Sequence, residues 1–194
     1  MIRAMLDLDT QLFLFFNHAI ANPVFDAVFV LITNGRFWIL PGIAAALVFL
    51  YFKRRSAVVV LALSLLTVSI SDPVCNRIIK PQFHRLRPCD ERVVIPGGRF
   101  LLGRKGSESF PSSHAANMFA QATLFSLLYR RRRVWITAFA FAAVIAFSRV
   151  YVGAHYPLDV FGGAVFGMMA GGIVYAGYCF AIKKWNPKVL QIRP

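Results

Sequence analysis

Apolar residues in this chain gather in long runs separated by short polar breaks. Five runs approach the length of a bilayer crossing: 37–52, 57–79, 112–129, 134–152 and 158–182. A spanning helix takes about 20 residues, with a range of about 17–25. The first run is at the short limit and needs flanking residues. Pro41, Gly42 and Pro73 lie inside these runs, which membrane helices tolerate because neighbouring groups satisfy the freed backbone. Ahead of residue 37 the pattern is more broken. Leu12, Phe13, Phe15, Phe16 and Ile20 form one apolar set, interrupted at Asn22-Pro23. Phe25, Val28, Phe29, Leu31 and Ile32 form a second, closed by Asn34-Gly35. Each piece is too short to span alone. The pattern predicts two amphipathic helices at the interface, with a sixth, broken span as the alternative. The predicted fold is all-α: a polytopic membrane helix bundle of about five transmembrane helices, six possible, plus the N-terminal interfacial helices. One domain is expected over 1–194, comprising interfacial helices at 1–35, a bundle at 36–184 containing a loop at 80–111, and a cytoplasmic tail at 185–194.

Composition agrees with a membrane setting. Hydrophobic residues make up 58% of the 194, and charged residues only 15%. A soluble domain carries about 25% charged residues. The net charge of +14 raises the question of nucleic acid. The basic residues lie between apolar runs and not on a polar face, so no nucleic-acid partner is expected and the lipid bilayer is. Cys75, Cys89 and Cys179 fit the spacing of neither a zinc site nor a disulfide framework. The first ten residues carry Asp7 and Asp9 and lack the basic stretch followed by an apolar core that marks a signal peptide.

Charge also orients the bundle. Lys53-Arg54-Arg55, the run from Arg130 to Arg133, and Lys183-Lys184 follow alternate spans. With five spans they share one side, which the positive-inside rule makes cytoplasmic. The 80–111 loop and the turn around His155 then share the opposite side. That loop is itself basic, with Lys80, Arg85, Arg87, Arg92, Arg99, Arg104 and Lys105. Anion binding would explain cations on an external face; an inverted protein is the alternative.

Three clusters on that face carry chemistry. Lys80 and Arg87-Pro88 supply a point charge and a forked donor for phosphate oxygens. Asp72, Asn76 and Lys80 recur every fourth residue, predicting one helix face. Asp72 inside a span is expected to face the interior, toward a basic side chain. Pro111-Ser112-Ser113-His114 opens the third span, and free amides at a helix start favour anions. Ser148-Arg149, His155 and Asp159 close the set. Asp159, four residues after His155, can fix the tautomer of its imidazole and leave the other nitrogen free to attack.

The order and spacing of these clusters resemble the type 2 phosphatidic acid phosphatase superfamily over roughly residues 72–163. The resemblance implies a metal-free, cofactor-free phosphatase. In it His155 is the nucleophile that becomes phosphohistidine, Asp159 orients it, and His114 protonates the leaving oxygen. It implies phosphate binding by Lys80, Arg87, Ser112, Ser113 and Arg149. The family pattern most often has Gly where this chain has Ser113, which puts the local backbone geometry in question. Vanadate-dependent haloperoxidases share the motifs but are soluble, against five candidate spans here. The expected substrate is a membrane lipid phosphate, first undecaprenyl diphosphate. Phosphatidylglycerol phosphate, phosphatidic acid and a lipid A phosphate are alternatives. A non-catalytic lipid transporter or scaffold is the alternative of another class. The expected location is the bacterial inner membrane, with the site on the periplasmic face.

Overall fold

The computed structural model describes residues 2–185. The cytoplasmic tail expected beyond the last span lies almost wholly outside them. The chain is helical nearly throughout: α1 (Ile2–Leu14), α2 (Pro23–Thr33), α3 (Ile39–Pro73), α4 (Lys80–Phe83), α5 (Ser113–Tyr129), α6 (Arg132–Tyr151) and α7 (Pro157–Trp185). A π-helical stretch (Phe15–Ala19) extends α1, a 3₁₀ turn (Gly35–Trp38) leads into α3, and a π-helical stretch (Val74–Ile79) joins α3 to α4. Between α4 and α5 runs an irregular loop with a single isolated bridge, Leu86 to Glu108.

Helix starts follow local chemistry. Asn22 caps α2 by accepting from the Phe25 amide at 2.9 Å, and Pro23 occupies the first turn. Asn34 caps the 3₁₀ turn by accepting from Arg36 N–H. Among the described residues, three helical runs are long and apolar enough to cross a bilayer: Gly35–Phe83, Arg132–Tyr151 and Pro157–Lys184. The segments Arg3–Ala19 and Pro23–Thr33, bent by 114°, pass the same test as a pair. α5 has 17 residues, at the lower limit for a span. The protein is an integral membrane helix bundle.

The run Gly35–Phe83 contains both of the first two expected spans. At about 1.5 Å per residue a straight helix would set Pro41 and Asn76 about 50 Å apart. Yet Pro41 lines a cavity with His114, and Asn76 accepts a hydrogen bond from Ser113 at 2.6 Å. α3 therefore doubles back at Arg54, whose φ of 38° and ψ of −106° are non-helical. The basic triplet Lys53-Arg54-Arg55 forms the tip of this hairpin, at the end away from His114 and Ser113.

The most extensive helix contact joins α5 to α7. Gly163, Gly167 and Gly171 recur every fourth residue on α7. A Cβ added to each would meet the carbonyl oxygens of Ser112, Ala116 and Ala120 at 2.4, 2.1 and 2.3 Å. Only glycine permits this backbone approach, the usual way helices pack tightly in lipid. The contact carries the start of α5 to the start of α7, where the Ser112 amide donates to the Asp159 carbonyl at 2.9 Å.

Candidate active site

His155 sits in the tight turn between α6 and α7. Gly153 makes the turn possible: its φ is +84°, and a Cβ there would lie 2.2 Å from the Arg99 carbonyl. The His155 amide donates to the Arg149 carbonyl at 3.1 Å. The ring is 1% exposed, with Nδ1 3.5 Å from Asp159 Oδ2 and 3.4 Å from Ser109 Oγ. Nδ1 therefore faces the carboxylate and Nε2 points away from it. Burial pushes the imidazole down to about 3, against the raising pull of Asp159. At neutral pH the ring is neutral and carries a lone pair.

Asp159 is fully buried. Its Oδ2 accepts from the Tyr156 amide at 2.9 Å and from the Ser109 hydroxyl, and its Oδ1 takes the Arg85 guanidinium at 2.7 Å. The bond to Tyr156 is that of a helix N-cap box. Asp159 thus caps α7 and faces His155 with the same carboxylate.

The cations converge from separate elements. Lys80 is buried at the start of α4, and Arg149 is buried at the end of α6. Arg87 and Arg149 line one small cleft with Cys89, Gly103 and Lys105. His114, in the first turn of α5, lies within the fields of Arg149, Arg87 and Lys80. Arg149 Nη1 donates to Thr33 Oγ1 at 2.7 Å, while its Nε is buried with no partner among the described residues. The Ser112 hydroxyl, at the N-cap of α5, is buried and unpartnered in the same way. A buried donor without an acceptor is costly, and an anion bound close to either group would supply the acceptor it lacks. No three His, Cys, Asp or Glu side chains among the described residues come together as a metal site would require.

Two site residues bond within the protein. Ser113 Oγ donates to Asn76, so its hydroxyl braces α5 against the π-helical stretch after α3 and leaves its amide to the helix start. Asp72 pairs with the Asn117 amide at 2.9 Å. The expected basic partner is replaced by an amide, because α5 and not a cationic loop packs against that face. The N-terminal helices hold residues that local patterning did not single out. Arg85 also binds Asp9 at 2.5 Å, and Asp9 accepts from the Leu158 amide. The wholly buried Asn17 donates to the Arg99 and Tyr151 carbonyls at 2.8 and 2.7 Å.

A family model described as the PAP2 superfamily matches residues 56–182. The chain belongs to the PAP2 superfamily. A lipid A 4'-phosphatase from Bacteroides thetaiotaomicron is 35% identical over 90% of this chain and 79% of that protein. The undecaprenyl-diphosphatase BcrC of Bacillus subtilis is 29% identical over 79% of this chain and 75% of that protein. A transmembrane PAP2-type phosphatidylglycerolphosphate phosphatase from Bacillus subtilis, known from its crystal structure, superposes with a TM-score of 0.67 at 26% identity. The match covers 94% of this chain and 90% of that one. As a PAP2 protein the chain is a membrane-embedded hydrolase, a lipid phosphatase.

Proposed function

We propose that this PAP2 phosphatase removes a phosphate monoester from a lipid A-type glycolipid through a phosphohistidine intermediate. His155 Nε2 attacks phosphorus while Asp159 holds the ring through Nδ1. The bond from phosphorus to the lipid oxygen breaks, and His114 donates its proton to that oxygen. Lys80, Arg87 and Arg149, with the Ser112 hydroxyl and the Ser113 amide, bind the phosphate oxygens as charge builds on them. Water then attacks phosphorus while His114 takes its proton; the phosphorus–nitrogen bond breaks, its electron pair returns to His155 Nε2, and inorganic phosphate leaves. The observation that carries this reading is the pair of unpartnered buried donors, Ser112 Oγ and Arg149 Nε, beside the His155–Asp159 pair.

The leaving side favours a monoester. In-line attack by His155 puts the leaving oxygen toward His114. His114 lines a cavity of about 510 Å³ whose other walls include Trp38, Pro41, Ala45, Met118, Phe141 and Ile145; its lining contains no Lys or Arg. A neutral sugar hydroxyl leaves comfortably into such a space. The lipid monophosphate released from undecaprenyl diphosphate would carry negative charge into a space whose own lining bears no Lys or Arg. The extent of similarity points the same way. The match to the lipid A 4'-phosphatase omits about a tenth of the chain, so it reaches into the N-terminal helices. Undecaprenyl diphosphate, the substrate expected from sequence, is the second reading, supported by the similarity to BcrC.

The deciding experiment is phosphate release by the purified full-length chain in EDTA from lipid A, undecaprenyl diphosphate, phosphatidic acid and phosphatidylglycerol phosphate. Lipid A should give the highest kcat/KM, by about tenfold or more, a difference of about 1.4 kcal/mol. Preference for undecaprenyl diphosphate would overturn the monoester reading, and a strict magnesium requirement would overturn the metal-free mechanism. His155→Ala should abolish turnover and the acid-labile phosphoprotein seen on rapid quenching. The proposed site faces the periplasm. In a background without Cys75, Cys89 and Cys179, a cysteine replacing Ser107 should react with a membrane-impermeant thiol reagent on intact cells, and one replacing Arg131 should not.

A further inference from the structure

Asp9 lies on α1, far in sequence from the phosphate-binding clusters and outside the stretch matched by the family model. Its carboxylate is 2% exposed and has two partners. Oδ1 accepts from the Leu158 amide at 2.9 Å, one of the free N–H groups at the start of α7. Oδ2 meets Arg85 Nη2 at 2.5 Å. The same guanidinium reaches Asp159 Oδ1 with Nη1 at 2.7 Å and stacks 4.2 Å from the centre of the Tyr156 ring. Arg85 is thus held by two buried carboxylates and an aromatic face. Both of its terminal nitrogens are committed to protein carboxylates.

We infer that Asp9 and Arg85 are positioning residues, which fix the Asp159 carboxylate and through it the ring of His155. The inference rests on the His155–Asp159 roles proposed above. With Oδ1 occupied by Arg85, and Oδ2 bonded by Ser109 and the Tyr156 amide, Asp159 cannot rotate. Only Oδ2 faces His155 Nδ1. Asp9 fixes Arg85 from the far side and anchors the helix start that carries Asp159. Through Asp9, α1 therefore helps to fix the geometry of the His155–Asp159 pair.

The test uses the purified full-length chain and the variants Arg85→Gln, Arg85→Lys and Asp9→Asn, the last keeping an acceptor for the Leu158 amide while losing its charge. With lipid A as substrate, Arg85→Gln should lower kcat about tenfold to a hundredfold, the scale of a misplaced reacting group, with KM within about twofold. Arg85→Lys should recover part of the loss, and Asp9→Asn should show a smaller fall of the same kind. Histidine-nitrogen NMR, which needs no substrate, should show the Nδ1–H tautomer of His155 in the parent protein. It should show a mixture in Arg85→Gln and Asp9→Asn. An unchanged kcat with an unshifted His155 signal would overturn the inference. So would a raised KM at constant kcat, which would place Arg85 on the substrate. If Arg85→Gln does not fold, Asp9→Asn decides by the same two readouts. Turnover by His155→Ala would instead remove the nucleophile assignment, whatever the NMR of the positioning variants.

Discussion

α5 is held on two faces by different physics. Toward α7 it presents Ser112, Ala116 and Ala120, whose carbonyls lie against Gly163, Gly167 and Gly171 with no room for a side chain. Toward α3 and the π-helical stretch that follows it, α5 presents Ser113, Asn117 and Gln121, which bond Asn76, Asp72 and Ser64. Lipid is as apolar as Leu, so burying oily side chains does not by itself drive helices together in a bilayer. Two means remain, close backbone contact and interhelical hydrogen bonds, and this helix uses one on each face. The close contact fixes the site, because it joins the helix start bearing Ser112 to the one bearing Asp159. The polar ladder holds the α3 hairpin through side chains and not through backbone contact.

The contrast is broken most sharply at Gly167, where a Cβ would stand 2.1 Å from the Ala116 carbonyl. Gly167→Leu must push α5 and α7 apart, and overpacking costs typically about 1–3 kcal/mol, occasionally more. Here the obstacle is backbone, so the cost should reach or exceed the upper figure. Reversible unfolding in mixed micelles should show the loss, and turnover should fall with it as Ser112 and Asp159 separate. A variant as stable and active as the parent would mean that the glycine face is incidental.

Much of this arrangement is legible in sequence, and the remainder fails for definable reasons. The runs at 134–152 and 158–182 emerge as α6 and α7, because a long apolar run in a membrane chain has few other structures open to it. The chain reversal at Arg54 was signalled by its basic triplet. Asp72 was legible as an inward-facing group but not its partner, since periodicity gives a face and not the neighbour opposite. The Val74–Ile79 π-helix also shifts the register between Asp72 and Lys80. Asp9, Asn17, Thr33 and Ser109 were invisible as site residues. Each is a single polar residue in an unremarkable local context, and Asn17 meets Tyr151 from 134 positions away. Arg85 was visible only as one of several loop cations. The N-terminal segment, expected at the interface or as a broken span, is bent by 114° and bonded to the loop between α4 and α5.

A smaller effect is expected from Asn117→Leu. The substitution removes the amide that donates to Asp72 and leaves a half-buried carboxylate in the bundle without that bond. Interhelical hydrogen bonds in membrane proteins average about 0.6 kcal/mol and reach about 1.7. The loss should fall near the upper value, because a charged group is deprived of its donor. Asp72→Leu in the same background should recover part of the stability, by removing the orphaned carboxylate. If Asn117→Leu were as damaging as Gly167→Leu, the two faces would be equivalent and the contrast would fail.

The smallest effect sharpens the comparison at the far end of the ladder. Gln121 and Ser64 exchange two hydrogen bonds, Ser64 Oγ to Gln121 Oε1 and Gln121 Nε2 to the Ser64 carbonyl, both at 2.8 Å. Both residues are half-buried and neither carries charge. Gln121→Leu keeps nearly the same length and apolar stem but removes both bonds. Ser64 can return its hydroxyl to a carbonyl one turn earlier on its own helix, as Thr67 already does toward Leu63 at 2.7 Å, so no buried donor need be stranded. The expected cost is about 1 kcal/mol or less. Turnover should be unchanged, because two turns of α5 separate Gln121 from Ser113. Unfolding in mixed micelles reads the first expectation and kcat the second. A large fall in kcat at little cost in stability would show that the α3 face also transmits position to the site, a role the structure gives to the α7 face.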